Sequence, residues 1–182
     1  MTLRTEAVRE LSAWAAPTPD QVAMRGAYLD YLAENDDAMW RRCLPGHLTA
    51  SALVLDRAGR RVLLTLHPKV GRWLQTGGHC EPGDRTLASA ALREATEESG
   101  IAGLELLDAP ARLDRHRVHC QGNDAPDSEH LDVQYVALAP SGVDEAMSEE
   151  SLDLRWWPVD ALPPDVDGSV RALVARAVVL AC

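Results

Sequence analysis

The pattern of apolar and polar positions divides the chain near residue 45. Before that point, apolar side chains recur every three or four residues, which is the period of a helix with one buried face. The first stripe consists of Leu3, Ala7, Val8, Leu11 and Trp14. This pattern predicts a helix that ends before Pro17-Thr18-Pro19, because prolines cannot continue it.

A second helix is predicted directly after this break. Thr18-Pro19-Asp20-Gln21 has the form of a capping box with proline at the first helical position. The apolar positions that follow are Val22, Leu29 and Leu32, and the pattern fades at Asn35. We therefore predict that residues 1–45 form an N-terminal helical extension and that residues 46–182 form the main domain. The extension either packs on that domain or contributes to a homodimer interface.

From Gly46 onward the pattern changes to short apolar and β-branched runs, which are typical of strands. Strands are predicted over residues 48–55, 62–66, 73–76, 104–107, 112–120, 131–139 and 155–158. Helices are predicted over residues 86–99, ended by Gly100, and near the C-terminus with Val170, Leu173, Val174, Ala177 and Val178 on one face. This mixed order predicts an α+β or layered α/β/α domain.

The most informative stretch joins paired glycines to an acidic helix. A predicted glycine turn, Gly77-Gly78-His79-Cys80-Glu81-Pro82-Gly83-Asp84, precedes the run Arg93-Glu94-Ala95-Thr96-Glu97-Glu98-Ser99-Gly100-Ile101. Helical spacing puts Glu94, Glu97 and Glu98 on one side of the helix. Since three crowded carboxylates repel one another, a hard divalent cation such as Mg²⁺ would stabilise them. A solvated acidic face is the alternative, but such a face does not require the glycine turn.

Composition narrows the choice of partners and compartment. The net charge of −10 argues against a nucleic-acid polymer or an anionic membrane surface as the partner. The cysteines at 43, 80, 120 and 182 form no Cys-x-x-Cys pair, which favours free thiols in a reducing cytosol over a zinc site. No apolar run is long enough to span a bilayer, and the N-terminus lacks the apolar core of a signal peptide. We expect a soluble, cytoplasmic protein.

The acidic motif resembles the Nudix box, the sequence motif of the Nudix hydrolases. That box consists of Gly, five residues, Glu, seven residues, and then Arg-Glu-apolar-x-Glu-Glu-x-Gly-apolar. Here Gly78 opens the box, Asp84 takes the place of the first glutamate, and residues 93–101 close it. The chain departs from the pattern in three ways: the first acid is aspartate, eight residues separate it from Arg93, and Thr76 stands where many members have proline.

The resemblance implies a Nudix-type α/β/α sandwich with a mixed sheet, following the N-terminal helical extension. It implies a pyrophosphohydrolase that cleaves a nucleoside diphosphate linked to another moiety, with Mg²⁺ as cofactor and Mn²⁺ as an alternative ion. Glu94, Glu97 and Glu98 correspond to the family's metal ligands and general base, with the Gly78 carbonyl as a further ligand. Arg93 is expected to orient a glutamate rather than contact substrate. The partner would be a small phosphorylated, nucleotide-type substrate.

A later strand offers one more acid. Alternation places His130, Asp132 and Gln134 on one face of that strand and apolar residues on the other. Asp132 could supply a further metal contact, and Glu129 is the alternative acid for this contact. His116 and His119 point to opposite faces of the preceding predicted strand, which argues against a metal pair there. His79 and Cys80, within the motif, are expected to be structural.

Two other functions stay open at this point. An isopentenyl-diphosphate isomerase-like enzyme has the same fold and uses cysteine and glutamate in proton transfer, which directs attention to Cys80. A non-catalytic Nudix-fold ligand-binding regulator is the second alternative, although the complete set of three glutamates argues against it. The resemblance leaves open the nucleotide derivative, the carboxylate that acts as base, the number of metal ions and the oligomeric state.

Overall fold

The computed structural model describes residues 1–68, 70–118, 128–143 and 153–181. Within these ranges the helices are α1 (Leu3–Ala13), α2 (Pro19–Glu34), α3 (Leu87–Ser99) and α4 (Gly168–Leu180). The strands are β1 (Gly46–Leu55), β2 (Arg61–His67), β3 (Arg72–Leu74), β4 (Thr76–His79), β5 (Glu105–Leu106), β6 (Arg112–Val118), β7 (Ser128–Leu138) and β8 (Leu154–Pro158). This is the α+β class that the pattern predicts.

The sheet is mixed, and β1 lies at its centre. The ten residue pairs between β1 and β7 are parallel, from Gly46 opposite Glu129 to Leu55 opposite Leu138. The other described pairings are antiparallel. The main strand order is β3-β2-β1-β7-β5, while β4 pairs with β1, β6 with β7 and β8 with β2.

Alternation along β1 gives the sheet two different faces. On one face, which we call the α3 face, Leu48, Ala50, Ala52 and Val54 pack in a hydrophobic core with α1, α2 and α3. On the other, the α4 face, Leu53 and Leu55 pack with α4 in a second core. Because helices cover both faces, the α/β/α sandwich is confirmed.

The N-terminal extension packs into the core of the α3 face. Leu3, Ala7 and Leu11 of α1 are buried there beside the apolar side chains of β1 and α3. The hydroxyl of Tyr135 also donates to Glu10 Oε1 at 2.6 Å, which joins β7 to α1. Of the two roles predicted for the extension, packing on the domain is the one observed. The homodimer interface stays a prediction.

The start of α2 differs from the prediction. Thr18 is the N-cap residue, but its side chain makes no capping hydrogen bond, so the predicted capping box is wrong. The Gln21 amide instead donates to the Leu113 carbonyl at 3.1 Å and accepts from the Leu113 N–H at 2.6 Å. Gln21 therefore satisfies backbone groups of β6. Helix α2 also turns Tyr28 toward β6. Val22 is 46% exposed and therefore does not belong to the buried stripe.

The ends of α3 follow local sequence signals. The Thr86 side chain accepts from the Ser89 N–H at 2.9 Å, and the Ser89 hydroxyl accepts from the Thr86 N–H at 3.0 Å, which forms a capping box. Gly100 then adopts a left-handed conformation with φ of 67°, where glycine costs least. The helix predicted over residues 86–99 is confirmed.

The paired glycines lie in a strand and not in the predicted turn. Gly77 and Gly78 belong to β4, opposite Ser51 and Ala50 of β1. A Cβ on Gly77 would lie 2.3 Å from the Ser51 Cβ, closer than side-chain atoms can approach. Glycine is therefore required because two backbones meet closely, which is one of the uses of glycine within a strand.

Candidate metal and catalytic site

Two glutamates of α3, Glu94 and Glu98, meet the paired glycines of β4. Glu98 Oε2 accepts a hydrogen bond from the Gly77 N–H at 3.1 Å. The Glu94 carboxylate lies so close to Gly78 that a Cβ there would be 2.6 Å from Glu94 Oε1. The absence of a side chain at Gly78 thus allows the Glu94 carboxylate and the strand backbone to approach one another.

Arg93 joins the acidic groups of this site. Its Nη1 donates to Glu94 Oε1 and to Glu97 Oε2, both at 3.0 Å, and its Nη2 donates to the His79 carbonyl at 3.0 Å. The Glu97 side chain is 60% exposed, while that of Glu94 is 15% exposed. Arg93 therefore bridges two of the three glutamates.

Asp84 completes the contacts of the arginine. Its two carboxylate oxygens accept from Arg93 Nε at 3.2 Å and Nη2 at 3.1 Å. Asp84 Oδ2 also accepts from the Glu81 N–H at 2.7 Å, which closes the loop before α3. The Asp84 hydrogen bonds, more than the other contacts, raise the pKa of Arg93 above its ordinary value. The short aspartate thus reaches Arg93 despite the extra residue between them.

Asp132 lies on the α4 face, away from the glutamates of α3. It is 3% exposed and accepts hydrogen bonds from Thr49 Oγ1 at 2.9 Å, Ser51 Oγ at 2.6 Å and Gln134 Nε2 at 3.2 Å. Burial raises the pKa of Asp132, while the hydrogen bonds from Ser51 and Thr49 act in the opposite direction. The predicted alternation along β7 is correct, but two of the polar side chains on it, Asp132 and Gln134, are buried.

Glu129, the alternative to Asp132 as a metal ligand, forms an ion pair with Arg115 of β6. Its side chain is 29% exposed. Neither acid of β7 shares a described hydrogen bond or ion pair with Glu97 or Arg93. The metal contact suggested for Asp132 therefore stays a prediction.

Sequence reasoning missed a group of histidines on the α4 face. The His47 ring lies 5.1 Å from the His79 ring and 5.0 Å from the His130 ring, measured between centroids. His116 lies 5.4 Å from His130 and hydrogen-bonds Asp114 at 2.9 Å. No local spacing could reveal this group, because its members come from four different strands. His119, which was considered with His116, lies outside the described residues.

Comparison with known proteins decides the family. The family model for the NUDIX domain matches residues 45–177. The chain belongs to the Nudix family. It is a Nudix-type pyrophosphohydrolase, and residues 78–101 are its Nudix box. None of the curated proteins compared with the chain matches it.

Solved structures agree with this assignment. A Nudix-family hydrolase from Clostridium perfringens is 25% identical, with a TM-score of 0.56 over 74% of this chain and 97% of that one. An Ap4A hydrolase from C. elegans is 20% identical, with a TM-score of 0.56 over 73% and 96%. The E. coli dihydroneopterin triphosphate pyrophosphohydrolase is 19% identical, with a TM-score of 0.58 over 73% and 95%. The last two likenesses show the fold.

The donor set of this Nudix site fits a hard divalent cation. Three carboxylates, from Asp84, Glu94 and Glu97, contact the guanidinium of Arg93, and a fourth, from Glu98, accepts from the Gly77 N–H. Oxygen ligands with an excess of negative charge are those that Mg²⁺ and Mn²⁺ prefer.

Among the described residues, no helix has the length and apolar character needed to cross a membrane.

Proposed function

We propose that this Nudix enzyme hydrolyses the pyrophosphate bond of a nucleoside diphosphate linked to another moiety, with Mg²⁺ as its ion and Mn²⁺ as a substitute. The approach of Glu94 to Gly78 and of Glu98 to the Gly77 N–H carries this proposal. A substrate that presents two phosphates brings further negative charge to the site. A centre with surplus carboxylates can bind such a substrate only through a cation that neutralises both.

Glu94, Glu97 and Glu98 would hold the ion, together with the carbonyl of Gly78. When bound, the ion supplies charge neutralisation at the phosphate oxygens and lowers the pKa of water. Glu94 is held against β4 and Glu98 accepts the Gly77 N–H, so both carboxylates are pre-positioned. One carboxylate of this set takes the proton of the attacking water.

Arg93 acts as a positioning residue in this scheme. It donates to Glu94, Glu97 and the His79 carbonyl, and therefore holds helix α3 against the end of β4. Its Nε and Nη2 also donate to Asp84, which leaves little capacity for a substrate phosphate. The contacts thus support an orienting role for the arginine.

The environment of Cys80 argues against an isomerase. Its side chain is 7% exposed within the core of the α3 face. Burial raises the pKa of the Cys80 thiol to about 12. A buried thiol that stays protonated at neutral pH is poorly suited to proton transfer on a substrate. The arranged carboxylates likewise favour an enzyme over a non-catalytic regulator.

The proposal is tested with the full-length protein and a panel of nucleotide derivatives. The panel contains nucleoside triphosphates, ADP-ribose, nucleotide sugars and dinucleoside polyphosphates such as Ap4A. Because a structural relative acts on dihydroneopterin triphosphate, that compound is included. We expect release of a monophosphate or pyrophosphate product from at least one compound, dependent on Mg²⁺ or Mn²⁺ and abolished by a chelator.

Isopentenyl diphosphate is run as a parallel substrate. Conversion to an allylic diphosphate without cleavage of a phosphate bond would support the isomerase and contradict the proposal. Tight binding of a panel member without turnover, with both ions present, would support the regulator instead.

A further inference from the structure

Three histidines from three strands meet on the α4 face, on the other side of the sheet from the glutamates of α3. The parallel register places His130 of β7 beside His47 of β1. The antiparallel register places His79 of β4 beside Thr49, the next residue of β1 on this face. The three rings therefore form a triangle, with centroids 5.0–5.1 Å apart.

His47 lacks the partners that a buried imidazole normally has. The residue is completely buried, and neither Nδ1 nor Nε2 has a hydrogen-bond partner in the described structure. Burial lowers the pKa of His47, and the nearby backbone of Cys43, which acts in the opposite direction, does not meet the geometry of a hydrogen bond. Since burying polar atoms without partners is unfavourable, the pair of unpartnered nitrogens points to a ligand.

The arrangement matches the donors that a borderline transition metal uses. One ring nitrogen from each of His47, His79 and His130 can be chosen so that all lie within 4.8 Å of one another. Tetrahedral zinc with nitrogen ligands needs donor separations of about 3.4 Å. Small rotations about the side-chain bonds of the partly exposed His79 and His130 can close this difference.

We propose that His47, His79 and His130 form a binding site for one Zn²⁺ ion that joins β1, β4 and β7. Three imidazoles and a fourth position open to water are a common zinc coordination. Imidazole nitrogens favour zinc, whereas the oxygen donors of α3 favour magnesium, so the two sites select different ions. Because His79 follows Gly78 directly, bound zinc fixes the end of the strand that carries the glycines.

This inference goes beyond the proposed function and does not depend on it. It also differs from the expectation drawn from the cysteines, whose spacing gives no indication of zinc. The ligands here come from distant parts of the chain, and strand pairing alone brings them together.

The test measures zinc binding without any activity readout. The full-length protein is stripped with a chelator, and ZnCl₂ is added in the presence of excess Mg²⁺, which occupies the carboxylates. Calorimetry should give one zinc ion per chain. At about a hundredfold excess over the dissociation constant, zinc should raise the melting temperature by about 5–10 °C.

Variants assign the ligands. His79→Gln and His130→Gln should each remove the zinc-dependent rise in melting temperature while leaving the metal-free protein folded. His67→Gln is the matched control, because it removes a histidine outside the triangle and should keep the full rise. Glu97→Gln should also keep it, since its carboxylate belongs to the other site.

Any of three results would overturn the proposal. The first is the absence of a zinc-dependent shift in the wild type at concentrations that saturate ordinary three-histidine sites. The second is an unchanged shift in both His79→Gln and His130→Gln. The third is loss of the shift in Glu97→Gln. Failure of hydrolysis would leave these measurements unaffected, so the two proposals fail separately.

Discussion

The two faces of the sheet beside the paired glycines carry different kinds of donor groups. On the α3 face, carboxylates of one helix approach Gly78 and are bridged by Arg93, and Glu97 reaches solvent. On the α4 face, the histidines come from separate strands, and His47 and Asp132 are buried. A single strand, β4, contributes to both, since Gly78 faces α3 and His79 faces the other way.

The carboxylates on the two faces are held by different kinds of hydrogen-bond donor. Among the carboxylates of α3, Glu94 and Glu97 accept from Arg93 and Glu98 accepts from the Gly77 N–H, and the Glu97 side chain is 60% exposed. The carboxylate of Asp132 receives neutral hydroxyl and amide donors in a place that water does not reach. The first arrangement suits catalysis and the second suits rigidity.

Glu98→Gln should have the largest effect of any change on the α3 face. The substitution removes a negative charge and keeps the shape, so kcat should fall about 10²–10⁴-fold with little change in folding. Steady-state hydrolysis and a thermal melt measure the two quantities. Glu34→Gln, at an exposed glutamate of α2, is the matched control. Near-normal turnover in Glu98→Gln would remove this glutamate from the site.

Arg93→Met should reduce stability. It leaves Asp84, whose side chain is 6% exposed, without its cation, and we expect a loss of about 2–4 kcal/mol in the free energy of unfolding. Urea titration measures this loss. Arg42→Met, which breaks an exposed pair with Asp37, should cost less than about 1 kcal/mol. Equal costs for the two variants would contradict the bridging role of Arg93.

The paired glycines separate the two faces directly. In Gly77→Ala the new methyl group meets the Cα and Cβ of Ser51, and backbone must move, so we expect a loss of about 1–3 kcal/mol. In Gly78→Ala it meets the end of the Glu94 side chain, which can rotate away. That variant should stay nearly as stable as the wild type but lose activity. Urea titration and turnover together test this, and the reverse order of stabilities would contradict it.

Glu10→Gln should have the smallest effect, which is a change in how stability depends on pH. Burial raises the pKa of Glu10, whose Oε1 accepts from the Tyr135 hydroxyl. Wild-type stability therefore declines as pH rises from the unfolded value, about 4.3, through the raised folded value. Glutamine keeps the acceptor without the charge, so the variant should melt up to about 3 °C higher at pH 7. Below about pH 4 this advantage should vanish; its persistence there would contradict the assignment.

Much of the α3 face could be predicted from local sequence. Thr86, Gly100 and the spacing of the three glutamates are signals within one helix, and the helix has the predicted ends. The prediction failed where a local signal competed with a distant partner. Gln21, suited to a capping box, bonds Leu113 instead, and the paired glycines form a strand because Ser51 of β1 lies against them.

Which acids share a side of α3 follows from the sequence, because the helical period is a property of the backbone. The opposite directions of alternate residues in β7 follow from it in the same way. The meeting of His47, His79 and His130 depends on the fold instead, since strand pairing sets their register across long stretches of chain. The same pairing buries Asp132 among hydroxyls, because those hydroxyls belong to Thr49 and Ser51 of β1.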